Sequence, residues 1–131
     1  MPPMITLYEA VVSAIRQFGL PTCTPAQDMP NKRPFCQVQL LNRNATNQYQ
    51  TAHEYTYSFQ LDVVTDKNDL VSGLKYAYQI TRALHQVTID GYAVGLESDP
   101  SIASLVDAST NQLLNRQLIT GTFVIVEDTA F

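Results

Sequence analysis

The chain has 131 residues, 45% hydrophobic and 15% charged, with a net charge of -4 and a sequence pI near 4.9. That length suits one domain spanning 1–131, since domains most often run roughly 100–150 residues, and a chain of this size buries about two-thirds of its unfolded surface without staples. The acidic balance excludes a general nucleic-acid coat, and no apolar run reaches the ~18 residues of a membrane span.

The first element is a helix over residues 5–18. Tyr8, Val11, Val12, Ile15 and Phe18 recur at three- and four-residue spacing, the period of one buried face. Thr6 and Glu9 match a Ser/Thr-x-x-Glu capping box, and Gly19 with Pro21 supplies the stop. The preceding Met1-Pro2-Pro3-Met4 lacks the basic start and apolar stretch of a signal peptide. Residues 20–34 hold four prolines and few apolar side chains, which reads as an ordered loop or arm.

A strand follows at 35–41, where Phe35, Cys36, Val38, Leu40 and Leu41 interleave with Gln37 and Gln39. Residues 42–50 are polar and turn-prone, and read as a loop too long for a tight hairpin. The second strand is the clearest in the chain: Tyr55, Tyr57, Phe59, Leu61 and Val63 alternate with Thr56, Ser58, Gln60 and Asp62, a period of two. A second helix is expected over 69–85, with Leu70, Leu74, Ala77, Thr81 and Leu84 on one stripe and Val71 and Tyr78 beside it. Asp66, Asn68 or Asp69 can cap it, and Gly73 inside it marks a close packing contact. Val87-Thr88-Ile89 and Tyr92-Ala93-Val94 flank Asp90-Gly91, a hairpin signal. The final strand is expected over 116–126, with Ile119, Gly121, Phe123 and Ile125 on one face.

The order α, β, β, α, β, β predicts an α+β two-layer domain, a mainly antiparallel sheet packed by two helices. Tyr8, Val12, Ile15, Leu74, Leu84, Phe59, Leu61 and Phe123 are expected to share its core. The final strand, long and free of proline, is expected to be an open edge that pairs with a neighbouring subunit.

Chemistry leaves few marks. The five glycines form neither GxGxxG nor GxxxxGK[ST], and there is no GxSxG elbow. Cys23 and Cys36 make no CxxC, so neither a disulfide scaffold nor a zinc site is indicated; a reducing compartment is the simpler reading, with one bridge as the alternative. Cys36 with His53 has the residue types of a nucleophile and base, but Cys36 falls in an apolar alternation that reads as a buried core thiol. Asp62, Asp66 and Asp69 have the composition of a cation site, against the plainer reading of a strand end and a helix cap. His53 and His85 read as structural or surface residues. No catalytic residue, cofactor or metal is assigned, and the chain is not read as an enzyme.

Charge is uneven. Residues 1–50 carry four bases and two acids, whereas residues 51–131 carry four bases and ten acids. Lys32, Arg33 and Arg43 flank the first strand, and Tyr49 sits in the polar segment without an evident core partner. These four are the candidate interface residues. Neutral Gln, Asn, Thr and Ser carry most of the polarity, and such surfaces meet partners without the desolvation cost of buried charge.

The arrangement as a whole carries a resemblance. An amphipathic helix precedes a Pro-rich segment, a strand and an exposed polar stretch. The alternating strand Tyr55-Thr56-Tyr57-Ser58-Phe59-Gln60-Leu61-Asp62-Val63 then leads through Thr65-Asp66-Lys67-Asn68 into a helix. After Ile89-Asp90-Gly91-Tyr92 and Glu97-Ser98-Asp99-Pro100, a long strand closes the chain. This layout resembles the tail-terminator, or tail-to-head joining, proteins of long-tailed bacteriophages, over nearly the whole chain and by element order rather than by a motif. The four prolines of 20–34 depart from it. The resemblance implies a structural virion protein of the tail–head junction, assembled in the host cytoplasm. Its partners would be itself, as a hexameric ring, together with the tail-tube and head-connector proteins. DNA would be only passing cargo. The alternatives are another phage neck or tail component, a self-assembling adaptor, or a small α+β enzyme or ligand-binding domain.

Overall fold

The structure, a computed structural model, describes residues 2–48, 52–108 and 112–128. Its elements are α1 (Pro3–Arg16), β1 (Thr22–Cys23), β2 (Phe35–Gln48), β3 (Ala52–Asp66), α2 (Leu70–Leu84), β4 (Val94–Leu96), β5 (Ser101–Asp107) and β6 (Leu114–Asp128). The fold is α+β: a six-stranded sheet with two helices on one face, antiparallel except for the short β1–β2 pair.

Helix α1 starts earlier than the capping-box pattern indicates. Pro3 occupies the first helical position and Pro2 the cap, where a fixed φ is pre-organised and the missing N–H costs nothing. Thr6 instead donates its hydroxyl back to the Pro3 carbonyl at 3.2 Å. The helix buries Pro3, Leu7, Val11 and Ile15; Tyr8 and Val12 are only partly buried against the same core. Gly19, at φ 77°, ends the element.

Helix α2 is rotated from the expected stripe. It buries Gly73, Ala77, Ile80 and Leu84, leaving the anticipated core residue Leu74 44% exposed. Gly73 fits this seating. A Cβ built there would stand 3.1 Å from Thr65 Oγ1, tighter than an ordinary contact, so glycine suits the close approach of this side of the helix to the sheet.

The principal core lies between helices and sheet. Tyr57, Phe59, Leu61 and Val63 of β3 meet Ile119, Phe123 and Ile125 of β6 and the inward sides of both helices. Phe59 and Phe123 pack edge to face, with ring centroids 5.9 Å apart. On the opposite face, Cys23, Phe35, Val64 and Leu114 form a smaller cluster, closed by Met29 of the proline-rich arm.

Three expectations about strands are corrected. Residues 42–48 are not a loop: β2 continues to Gln48, paired with β3. The turn expected at Asp90-Gly91 is present, with Gly91 at φ 85° and Ile89 bridged to Tyr92 across it, but the flanking residues extend no further ladder, and Val94–Leu96 joins β6 instead. The final strand is not an edge. It runs between β3 on one side and β4 and β5 in succession on the other. The strand at 101–107 was hidden in the sequence, because Ile102, Ala103, Ser104, Leu105 and Val106 do not alternate.

Candidate functional site

Strands of 14 and 15 residues rise about 3.3 Å per residue, so β2 and β3 span roughly 46–50 Å. Helices of 14 and 15 residues span roughly 21–23 Å at 1.5 Å per residue. The strands are thus much longer than the helices, and the helix–sheet core runs along β3 to Tyr57 and along β6 to Ile125, leaving the far end of the β2–β3–β6 ribbon at its margin. The helix-side positions at that end are Arg43, Tyr55, Tyr57, His53 and Glu127, aligned by the ladder.

A bulge brings Arg43 there. Up to Leu40, the even-numbered residues of β2 face the helices, paired with Phe59, Leu61 and Val63. Leu41 is an extra residue between Leu40 and Asn42. It shifts the phase by one, and in a period-two element that exchanges the faces. Asn42 turns away and Arg43 comes level with Tyr57.

The resulting cluster is fully interlocked. The Arg43 guanidinium donates through Nε to the Tyr57 hydroxyl at 2.8 Å and through Nη2 to Glu127 Oε1 at 3.1 Å. Tyr57 in turn donates its phenolic proton to Glu127 Oε2. The guanidinium carbon lies 3.6 Å from the Tyr55 ring centroid, and His53 Nδ1 is 3.0 Å from the Tyr55 hydroxyl. Burial, and after it the bond to Glu127, push the Tyr57 phenol up to about 12, against the opposing pull of Arg43. Burial by itself would lower the pKa of Arg43, but its bonds to Tyr57 and Glu127 and their charge outweigh that and hold it above its usual range. A protonated phenol committed to a carboxylate is no nucleophile. What the cluster does is fix a cation: Arg43 keeps a third of its side chain exposed while its other faces are tied down. A pre-organised Arg flanked by Tyr has the composition of an interface anchor.

The opposite sheet face carries a second network. Arg116 donates to Asp62 through Nε at 2.8 Å and again through Nη2, and to Asp107 through Nη1 at 2.6 Å. Burial raises the Asp62 carboxyl, opposed by Arg116, with a net rise.

Arg33 and Lys32 lie away from the Arg43 cluster. Arg33 binds Asp66, and its Nη2 donates to Gln112 Oε1 at 2.7 Å, beside an open cleft of about 650 Å³ that Lys67 and Asn68 also line. Lys32 is exposed on the neighbouring arm. Tyr49 lies outside the described residues. Asp62 and Asp66 are each held by a different arginine, so they do not share a site with Asp69. Cys36 and His53 sit at opposite ends of the β2–β3 ladder, opposite Val63 and Gln48. Cys23 and Cys36 are both free and buried. Burial, helped by the Asp62 charge, pushes the Cys36 thiol up to about 12. His85 caps α2 and stands 2.9 Å from Asp99.

Sequence reasoning found Arg43 but missed Tyr57 and Glu127 as its partners. The alternation of β3 placed Tyr57 inward; what it lacked was the bulge, without which Arg43 falls on the other face.

No family model matches the chain, and no curated protein matches it. Among solved structures, the chain is similar to one whose name describes no activity, with a TM-score of 0.64 at 12% identity, covering 93% of this chain and 92% of that one. At that identity the likeness concerns the fold over its full length.

Proposed function

We infer that the protein is a structural subunit of the tail-terminator kind, which closes into a ring on the end of a phage tail tube, stops its growth and presents a surface to the head connector. The observation that carries this reading is the open outer edge of the long strand β2: beyond Gln37 it pairs with no described strand on that side, such an edge invites pairing, and Arg43 is held in place on it. Copies arranged around an axis would set their ribbons side by side and present the Arg43 clusters to the tube as a repeating ring. The acidic balance of residues 51–131 suits a channel that DNA crosses without sticking.

A self-assembling adaptor outside phage tails is the second reading, since the same edge serves any repeated contact. In vitro assembly of tail tubes from the cognate tube protein separates the two. Adding this protein should narrow the tube-length distribution and halt elongation. A variant in which Asn-Gly replaces residues 46–54, so that the paired Ala45 and Tyr55 flank a two-residue hairpin turn, should fold and yet fail to cap. Unchanged tube growth with the intact protein would sink the terminator reading and leave the adaptor.

A further inference from the structure

Gln117 of β6 and Thr65 of β3 are fully buried on the helix side of the sheet. Gln117 Oε1 and Nε2 and Thr65 Oγ1 make no hydrogen bond among the described residues. A carboxamide offers both donors and acceptors, and burying such groups without partners is costly. Both side chains lie under the start of α2. A Cβ on Gly73 would stand 3.1 Å from Thr65 Oγ1 and 3.6 Å from Gln117 Cγ.

The part of α2 above this polar floor is weakly held. Of residues 70–75 only Gly73 is buried, and α2 enters the apolar core from Tyr76 onward, through Ala77, Ile80 and Leu84. Leu70, Val71 and Leu74 are instead 41%, 78% and 44% exposed. The local sequence adds little support. Asp69 makes no side-chain cap bond, so the first N–H groups lack the partner that a cap supplies. Gly73 and the β-branched Val71 are poor helix formers, and the Gly73 N–H meets the Asp69 carbonyl at a long 3.3 Å. Both ends of the segment are firm. Asn115 Nδ2 donates to the carbonyls of Asp66 and Lys67 at 3.0 and 3.1 Å, which fixes the turn ahead of the helix, and the core holds the helix from Tyr76.

We propose that residues 70–75 unwind as a unit between these fixed ends while the rest of α2 stays seated, and that the opening admits water to Gln117 and Thr65. Closing completes the helix at the expense of two buried polar side chains. Opening hydrates them and gives up no apolar side chain from the core. The two states therefore lie close in free energy, and the start of α2 is a built-in lid over a polar floor. Elements that move in binding are drawn from this low-stability end of a fold. The opening belongs to the folded chain whether or not it forms a ring.

Amide hydrogen exchange of the full chain, read by NMR and corrected for intrinsic rates, tests it. Residues 73–75 should be on the order of a hundredfold less protected than residues 80–84. Ile80→Val weakens the half that stays seated, so it should speed exchange at 80–84 by about threefold or more and leave 73–75 unchanged. Gln117→Met keeps the length of the side chain and removes its hydrogen-bonding groups. It should slow exchange at 73–75 on the order of tenfold, because the closed state no longer buries an unpartnered amide. Thr65→Val, an isosteric change, should act in the same direction and stands in should Gln117→Met perturb the core. Even protection along α2, or an Ile80→Val effect that reaches 73–75, would show that the segment opens only with the whole fold and would overturn the lid. Exchange at 73–75 that neither floor variant slows would overturn the hydration of Gln117 and Thr65 as its cause.

Discussion

Tyr57 donates its phenolic proton to the carboxylate of Glu127, 70 residues away in sequence, and the pair together holds Arg43. Tyr57 is fully buried and Glu127 is 5% exposed, so neither can exchange its partner for water. Replacing Tyr57 by Phe keeps the ring and removes one donor from a buried carboxylate, a change that costs about 1–3 kcal/mol. Urea denaturation should show that loss. Arg43→Ala and Glu127→Gln, made singly and together, should be non-additive by about 0.5–3 kcal/mol, as expected of groups in one network. An additive cycle would mean that Arg43 is not held as described.

Tyr57 and Cys36 set the alkaline limit of the fold. Both pKa values are raised, Tyr57 from 10.0 to about 12 and Cys36 from 9.0 to about 12, in each case chiefly by burial. A raised pKa means that the folded state holds its proton more tightly than the unfolded chain. The stabilisation is complete below the unfolded value and is lost as pH rises through the folded one. Stability should therefore decline from about pH 9 and fall steeply towards about pH 12. In Cys36→Ala the decline between about pH 9 and about pH 10 should be shallower but not abolished, because burial raises the Cys23 thiol as well. Denaturant midpoints measured across this range check this, and an unchanged slope in Cys36→Ala would contradict it.

Phe59 and Leu74 separate the two kinds of apolar residue on this fold. Phe59 is 1% exposed, stacks on Tyr8 and meets Phe123 edge to face. Its replacement by Ala should cost on the order of 3–5 kcal/mol. Leu74, half exposed on the flank of α2, should cost under about 1 kcal/mol when changed to Ala, whose helix propensity is no worse. Equal losses at the two sites would mean that α2 is seated with Leu74 inward.

That contrast also marks how far the sequence could be read. The alternation of β3 and the faces of β6 were legible, because a strand buried on one face repeats its pattern every second residue. The rotation of α2 was not: Leu70 and Leu74 make a better apolar stripe than Gly73, Ala77 and Ile80, yet the glycine side is the one that lies against the sheet. Strand β5 and the outer half of β2 were invisible for a related reason. Neither has a clean buried face, so neither shows a period, and backbone pairing to a long neighbour holds them in place. The Arg43 cluster depends on the bulge at Leu41, and no local pattern announces an extra residue.

Arg116 offers the last test, on the sheet face away from the helices. It is bound to both Asp62 and Asp107, whose side chains are 9% and 10% exposed, and Asp62 Oδ1 has no hydrogen-bond partner among the described residues. Changing Arg116 to Met keeps the stem and removes the charge that offsets two buried carboxylates. Breaking a buried pair in this way costs about 3–5 kcal/mol, because the remaining charge is stranded. The pH dependence gives the loss its signature. Burial already raises the Asp62 pKa against the pull of Arg116, and without Arg116 it rises further. A raised carboxyl is stabilising while protonated and loses that contribution as pH climbs through its folded value. Arg116→Met should therefore lie closest to wild type in mild acid and fall furthest behind near neutrality. Adding Asp62→Asn should recover part of the loss at neutral pH and little of it in acid. Stability measured from about pH 4 to about pH 7 for the three proteins decides the matter: a constant gap between Arg116→Met and wild type would show that the loss comes from packing and not from a stranded charge.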